Sequence, residues 1–120
     1  MIDNYAVGMF GQVHAEKFLR AKGYQILHKN YHTKTGEIDI VAKQGSYIIF
    51  AEVKFRKSLA HGYPRESVTP AKQRKIHNAA LHYIAAHPQI SESDFRFDVL
   101  EVLGDDKQVY INHIEDAFCV

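Results

Sequence analysis

The chain has 120 residues, of which 46% are hydrophobic and 24% charged, and its formal net charge is +1. These values predict one globular domain with a packed core and exclude an intrinsically disordered chain. The longest apolar runs are too short to cross a bilayer, and a single cysteine, Cys119, excludes a disulfide within the chain. The first ten residues lack the pattern of a secretory signal, so we expect a cytoplasmic protein without a membrane partner.

Basic side chains are concentrated in the middle of the sequence. Residues 54–75 contain seven lysines and arginines against one acid, whereas residues 86–120 contain eight acids against two basic residues. A basic block of this kind is typical of proteins that bind a polyanion such as nucleic acid. A solvated loop and helix surface also explains it, so charge alone leaves both interpretations open.

The first half of the chain predicts one helix followed by three strands. Apolar residues at helical spacing indicate a helix over residues 11–21, and Gly23 marks its end. Residues 24–32 predict the first strand. Residues 36–43 and 46–55 predict two further strands, and the short Gly-Ser turn between them indicates an antiparallel hairpin.

The second half predicts a loop, a helix and two more strands. After a loop over residues 57–68, Thr69 and Pro70 supply the N-cap and the first turn of a helix that ends before Pro88. The last two strands are predicted over residues 95–103 and 107–114. This order of elements predicts an α/β fold in which one mixed five-stranded sheet is flanked by helices.

Charged residues interrupt the predicted hairpin. The strand over residues 46–55 is apolar on both faces, which predicts a central strand, yet Glu52 and Lys54 lie on one face near its end. Desolvated charges are costly unless they are paired or coordinated. The hairpin brings Asp39 near Glu52, and two adjacent carboxylates favour a shared proton or a hard cation such as Mg²⁺ or Mn²⁺. With a lysine to stabilise developing charge, this combination indicates metal-assisted hydrolysis of a phosphodiester.

Structural interpretations of these charges stay open. Asp39 or Glu52 can form a cross-strand ion pair with Lys54 at a solvent-exposed strand end. Asp98 lies beside Arg96 on one face of a later strand, and a structural ion pair is the favoured interpretation there. The histidine spacings do not favour a zinc site.

Several motifs together resemble one protein family. They are "GEIDIVAKQGSYIIFAEVKFR" over residues 36–56, "GMFGQVHAEKFLRAKGYQILHKN" before it, and "HGYPRESVTPAKQRKI", "RFDVLEV" and "INHIEDAF" after it. In this order they resemble the YraN-like family of small bacterial proteins over nearly the whole chain. That family is similar to the restriction-endonuclease-like superfamily, which includes archaeal Holliday junction resolvases. The resemblance implies a single nuclease-fold domain over residues 1–120, with a restriction-endonuclease-like α/β/α core.

The resemblance also implies an active site and a reaction. Asp39 and Glu52 would bind Mg²⁺ or Mn²⁺ with the Val53 carbonyl as a further ligand, and Lys54 would be the catalytic lysine. The implied activity is a metal-dependent endonuclease that hydrolyses phosphodiester bonds of DNA, including branched or structured DNA. By analogy with resolvases, which work as dimers, a homodimer would bring two sites to two strands.

The first helix departs from the family pattern. Members usually carry Gly-Glu where this chain has Gly11 and Gln12. Gln12 offers a carbonyl oxygen without charge, and Glu16, one turn further on, is a candidate substitute. The missing charge supports a second hypothesis, a nucleic-acid-binding protein that retains the nuclease fold without cleavage. A third hypothesis is a protein-interaction domain whose acidic C-terminal region meets a basic partner.

Basic residues after the candidate site are the predicted contacts to a nucleic-acid backbone. Some continue the catalytic strand, and the others lie near the start of the second helix, where the helix dipole also favours anions. The predicted contacts are Arg56, Lys57, Lys72, Arg74 and Lys75. Gln73 lies among them and is a candidate supporting residue.

Overall fold

The computed structural model describes residues 4–56, 68–104 and 107–118, and it describes side chains for 8–55, 68–104 and 107–118. The helices are α1 (Asn4–Ala21) and α2 (Pro70–Ala86), followed by a short 3-10 helix (Pro88–Ile90). The strands are β1 (Gln25–His32), β2 (Glu37–Gln44), β3 (Tyr47–Arg56), β4 (Asp94–Gly104) and β5 (Val109–Ile114). The predicted order of elements is confirmed. The predicted loop over residues 57–68 lies outside the described residues except for Val68.

The five strands form one mixed sheet in the order β1-β2-β3-β4-β5. The β2–β3 hairpin is antiparallel as predicted, and its tight turn places Gly45 at φ 59°, a left-handed conformation that glycine adopts without a steric penalty. Strands β3 and β4 are parallel, with α2 in the connection between them, while β4 and β5 are antiparallel. Strand β3 is therefore the central strand, as its apolar residues on both faces predicted.

One helix covers each face of the sheet. On one face, α1 packs against a buried apolar cluster from β2, β3 and β4, and on the other face α2 packs against a second cluster. Ala51 of β3 belongs to the first cluster and its neighbour Phe50 to the second. Each large apolar side chain buried in this way stabilises the fold by about 1.5–3 kcal/mol. The α/β/α layers are compatible with the restriction-endonuclease-like core that the resemblance implied.

Helix α1 begins earlier than predicted. The prediction began the helix at residue 11, whereas α1 begins at Asn4, so that boundary is wrong. A Cβ atom on Gly11 would lie 2.9 Å from Cβ of Phe55 in β3, so the glycine allows the helix to approach the strand closely. Packing against the sheet therefore outweighs the low helix propensity of glycine. The predicted end is confirmed, because Gly23 has φ 91° and its neighbour Tyr24 donates to the Leu19 carbonyl at 3.0 Å.

Helix α2 follows its prediction closely. Thr69 is the N-cap, its hydroxyl accepts the Lys72 N–H at 3.2 Å, and Pro70 occupies the first turn. The helix ends at Ala86, before Pro88 begins the 3-10 helix. Its buried residues are Ile76, Ala79, Ala80 and Tyr83, which lie at helical spacing and face the sheet. Within the described residues, no helix is long and apolar enough to cross a membrane.

Candidate active site

The candidate site lies where the β2–β3 hairpin stops pairing. The two strands pair as far as Ile40 opposite Ala51. One step further, the same register sets Asp39 opposite Glu52. At that step the Val53 N–H donates to Oδ2 of Asp39 at 2.8 Å. The Asp39 carboxylate therefore takes the place of the backbone carbonyl that would accept this hydrogen bond if the two strands stayed paired. The predicted proximity of Asp39 and Glu52 is confirmed, and each carboxylate lies in the electrostatic field of the other.

Two lysines share the carboxylate of Glu52. Its side chain is 4% exposed, and its Oε1 lies 2.8 Å from Nζ of Lys72 and 3.5 Å from Nζ of Lys54. Lys72 comes from the first turn of α2, whereas Lys54 follows Glu52 on the same face of β3. The ion pair of Glu52 with Lys54 that the structural interpretation predicted is therefore present. Its predicted place at a solvent-exposed strand end is wrong, because Glu52 is buried.

The environment of Asp39 disfavours its charged form. Burial and the neighbouring charge of Glu52 raise the pKa of Asp39 from 3.8 to about 7. The Val53 N–H and the Lys72 ammonium lower the pKa, but they do not compensate. Near neutral pH the Asp39 carboxyl therefore either retains a proton or ionises when a cation takes the place of that proton.

The two lysines differ in how firmly they hold their protons. Burial lowers the pKa of Lys54, and the adjacent Lys72 ammonium lowers it further, against the attraction of Glu52. Burial also disfavours the charged form of Lys72, but its hydrogen bonds with Glu52 and Lys54 outweigh this effect and raise its pKa. Lys72 is therefore the lasting counter-ion of Glu52. Lys54 releases its proton more readily, which suits a group that takes part in proton transfer.

The carboxylates of Asp39 and Glu52 offer oxygen atoms to a metal ion, and oxygen ligands suit a hard divalent cation. Contacts among the described residues engage one oxygen of each carboxylate, Oδ2 of Asp39 and Oε1 of Glu52. Within that part of the chain, no three or more His, Cys, Asp or Glu side chains are grouped to hold a metal ion. Mg²⁺ commonly uses one or two protein carboxylates and completes its shell with water and substrate phosphates. The pair fits such a cation, and the Val53 carbonyl stays a predicted third ligand.

Glu16, the candidate substitute for the missing acid, has other partners. Its Oε1 lies 3.0 Å from Arg20, and its Oε2 lies 3.4 Å from Lys29 of β1. Burial raises the pKa of Glu16, but hydrogen bonds from Arg20 and Lys29 outweigh this effect and lower it. These partners hold Glu16 on the α1 side of the sheet, whereas the contact between Glu52 and Lys72 lies on the α2 side. Its predicted supporting role stays a prediction.

The two glutamines of the predicted site lie on different helices. Gln12 is buried in α1, at 9% exposure, beside the close approach of that helix to Phe55 of β3. Gln73 lies in the first turns of α2, and its side-chain amide donates to the Val68 carbonyl at 3.1 Å. The amide of Gln73 therefore holds the segment that leads into α2, next to the turn that supplies Lys72.

The predicted backbone contacts are only partly described. The Arg56 side chain and all of Lys57 lie outside the described residues. Arg74 and Lys75 are exposed on α2. Lys72 is half-buried and paired with Glu52, so it belongs to the carboxylate cluster as well as to the basic surface of the helix. The sequence placed Lys72 among phosphate contacts and did not predict this pairing.

Comparison with known proteins places the chain in a family. It matches the uncharacterised protein family UPF0102 over residues 11–102. The chain belongs to this family. A UPF0102 protein of Syntrophomonas wolfei is 41% identical over 96% of this chain and 99% of its own length. Relatives from Alkaliphilus metalliredigens (46% identical, 94% and 97% covered) and Clostridioides difficile (45%, 98% and 100%) are similar over the same extent. UPF0102 is the YraN-like family, so the resemblance is confirmed.

The UPF0102 match includes a buried acid that the sequence interpretation missed. Glu101 of β4 is 2% exposed and lies in register with Lys54 across the parallel β3–β4 pair. Its Oε1 accepts a hydrogen bond from the Asn112 side chain at 2.7 Å. Residues directly in register share a face of the sheet, so Glu101 lies on the same side as Lys54. Its position between Leu100 and Val102 in an apolar run was the signal that would have revealed it.

Proposed function

We propose that this UPF0102 protein is a metal-dependent endonuclease that hydrolyses phosphodiester bonds of DNA, including branched or structured DNA. The observation that carries the proposal is the cluster of Asp39, Glu52, Lys54 and Lys72, in which Glu52 is buried and the other three are partly buried. Desolvating two carboxylates and two ammonium groups costs folding free energy that their pairing offsets only in part, and proteins keep such clusters most often where they serve a ligand. The resemblance to resolvases supports the choice of DNA and the proposal of a homodimer.

Each residue of the cluster has a distinct part in this proposal. Asp39 and Glu52 hold Mg²⁺ or Mn²⁺, with the Val53 carbonyl as a further ligand. When bound, the cation neutralises charge on the phosphate and makes an attacking water more acidic. Lys54 stabilises the charge that develops on the phosphate, or accepts a proton from water when it is neutral. Lys72 pairs with Glu52 at 2.8 Å and holds it in place before substrate binds.

A second candidate function is a nucleic-acid-binding protein that retains this fold without cleavage. Two observations favour it. The ammonium groups of Lys72 and Lys54 already pair with Glu52, at 2.8 and 3.5 Å, so its carboxylate has charged partners without a metal ion. The family resemblance also implies a glutamate where this chain has Gln12, so that one negative charge is missing from the ligands that the superfamily uses. Binding without turnover, and without dependence on a divalent cation, is the behaviour that this function predicts.

The experiment is a cleavage assay on duplex, single-stranded, flapped and four-way-junction DNA, with RNA included, in Mg²⁺, Mn²⁺ or EDTA. Wild type is compared with Lys54→Ala, which removes the central ammonium of the site. Lys43→Ala is the matched control, because Lys43 is exposed on the neighbouring strand β2. We expect metal-dependent cleavage by wild type and by Lys43→Ala and none by Lys54→Ala. Equal cleavage by all three proteins would reject the site, and binding without cleavage would favour the second function.

A further inference from the structure

A groove opens between the β1–β2 connection and the first turns of α2. It has a volume of about 540 Å³. Residues of the β1–β2 connection form one wall, and α2 forms the other. The lining residues that carry the following argument are Thr33, Lys34, Gly36, Thr69, Lys72 and Lys75. The loop residues among them were not part of the predicted nucleic-acid surface.

The charge of this groove is predominantly positive. Among the described residues that line it are three lysines, Lys34 on the loop and Lys72 and Lys75 on α2. Glu37 is the one acid in that described lining, and its Oε2 lies 3.1 Å from Nδ1 of His32. Lys34 and Lys75 are exposed, so their ammonium groups are accessible to an incoming ligand. A row of cations with adjacent hydroxyl groups is suited to anionic oxygens, such as those of phosphates.

The loop wall is built into the fold. The Thr33 N–H and hydroxyl both donate to the Gly36 carbonyl, at 2.8 and 3.1 Å, which closes a tight turn. Gly36 packs directly against α2, because a Cβ atom at this position would collide with the carbonyl oxygen of Lys75. Glycine is therefore the residue that lets the loop backbone touch the helix. The groove is consequently formed before any ligand binds, which lowers the entropic cost of binding.

The groove leads to the candidate active site along both of its walls. On the loop side, the chain passes from Gly36 through Glu37 to Asp39 within three residues. On the helix side, Lys72 lines the groove and also contacts Oε1 of Glu52 at 2.8 Å. A phosphate chain lying in the groove would therefore run up to the two carboxylates.

We infer that this groove binds the sugar-phosphate backbone of a single nucleic-acid strand, next to the phosphate that is cleaved; this inference rests on the proposed function. Lys34 and Lys75 contact phosphates from opposite walls, and Lys72 contacts the phosphate nearest to Glu52. The volume is in the range of small-molecule sites, so the groove holds a short stretch of one strand rather than the width of a duplex. Contacts to phosphate carry no base information, so binding is independent of sequence.

The experiment measures binding of a labelled single-stranded oligonucleotide by fluorescence anisotropy in EDTA, where hydrolysis does not interfere. The test variant is Lys34→Ala with Lys75→Ala. The control, Lys17→Ala with Lys43→Ala, removes the same charge from exposed positions outside the groove. We expect the groove variant to bind about tenfold more weakly than the control. For the groove variant, the slope of log Kd against log salt concentration should be smaller than that of the control by about 1.4. This is about 0.7 for each of the two lost phosphate contacts.

Equal binding by the groove and control variants would overturn the inference, and so would the absence of any nucleic-acid binding by wild type. A duplex of the same sequence is measured as the second ligand. If wild type binds the duplex more tightly than the single strand, the inference that the groove takes a single strand is overturned. The cleavage assay separates this inference from the proposed function. Cleavage that survives in the groove variant with normal binding rejects the groove alone. Binding that depends on the groove, without metal-dependent cleavage, rejects the endonuclease alone.

Discussion

Oε1 of Glu52 on the central strand lies 2.8 Å from Nζ of Lys72, which belongs to the helix packed above that strand. This ion pair joins two elements of the fold at the point where a cation would bind. Under the proposed function Lys72 would compete with a metal ion for Glu52, and together with Lys54 it compensates the buried charge of Glu52. We therefore expect stability and metal affinity to respond to Lys72 in opposite directions.

Replacing Lys72 with alanine should separate these two effects. In EDTA we expect the free energy of unfolding to fall by about 1–2 kcal/mol, because Glu52 loses its closer partner and Lys72 is only partly buried. In Mn²⁺ the variant should gain more stability than wild type, because the cation no longer displaces an ammonium group. Urea unfolding with and without metal measures both quantities, and Arg74→Ala on the exposed face of α2 is the control. An equal metal response in wild type and Lys72→Ala would contradict the competition.

Replacing Asp39 with asparagine should leave the protein folded and remove its response to metal. Folding favours the protonated form of Asp39, because the pKa rises from 3.8 to about 7. Ionisation of Asp39 therefore lowers stability progressively from about pH 4 to pH 7, and the full loss is present above pH 7. The asparagine side chain keeps an oxygen for the Val53 N–H but carries no charge.

The measurement for Asp39→Asn is urea unfolding in EDTA at pH 5 and pH 8. We expect the variant to be more stable than wild type by about 1 kcal/mol at pH 8, with a smaller difference at pH 5. Mg²⁺ should stabilise wild type and leave the variant unchanged. Unfolding of the variant at pH 8 would show that the Asp39 carboxylate is a structural group and would reject its role as a ligand.

The parts of this structure that were predicted from sequence have local causes. The hairpin follows from the turn at Gly45, and α2 follows from Thr69 and Pro70, whose chemistry acts within a few residues. The start of α1 was missed because the prediction began the helix at Gly11, whereas this glycine lies inside it. The reason for a glycine there is its close approach to Phe55, which lies more than forty residues further along the chain. Such a contact exists only once the sheet has formed.

In the candidate site, too, the features with local causes were predicted and those that depend on distant parts of the chain were missed. Asp39 and Glu52 could be brought together from sequence because a two-stranded hairpin sets its own register. The ion pair with Lys72 depends on the angle at which α2 crosses the sheet, which local patterns do not determine. Glu101 was missed because its neighbour Lys54 lies on a parallel strand, reached only through the crossover that contains α2.

Asp98 supports a prediction about stability that is independent of the candidate site. Both oxygens of its fully buried carboxylate accept hydrogen bonds from Arg96, each at 2.8 Å, which confirms the predicted ion pair. His113 and the Asp116 N–H complete its shell at 2.7 and 3.0 Å. Burial raises the pKa of Asp98, but the hydrogen bonds from His113, Arg96 and Asp116 outweigh it and lower the pKa. Asp98 therefore stabilises the fold above its unfolded-state pKa of 3.8, and this contribution is lost as the pH falls below that value.

Asp98→Asn should lower the free energy of unfolding by about 3 kcal/mol at pH 7, because Arg96 loses its close charged partner at 2.8 Å and keeps the more exposed Glu115 carboxylate at 3.7 Å. The difference between variant and wild type should shrink as the pH falls below about 4. Asp94→Asn, at the exposed start of the same strand, is the matched control and should change stability little. Urea unfolding measures all three proteins. An equal decrease in the free energy of unfolding for Asp98→Asn and Asp94→Asn would show that the buried hydrogen bonds of Asp98 do not stabilise the fold.

Gln12→Glu tests whether the missing charge in α1 limits metal binding. Among the described residues no ion pair involves position 12, which is buried, so we expect a carboxylate there to make the variant less stable than wild type by about 1–2 kcal/mol in EDTA. If the introduced carboxylate joins Asp39 and Glu52 around a cation, saturating Mn²⁺ should restore that loss, and the apparent metal affinity should exceed that of wild type. Gln25→Glu, at an exposed position of β1, adds the same charge away from the helix and should show neither effect. Thermal unfolding across a Mn²⁺ titration reports both quantities. A destabilised variant that metal does not rescue would place position 12 outside the site and would leave binding without cleavage as the better account of this protein.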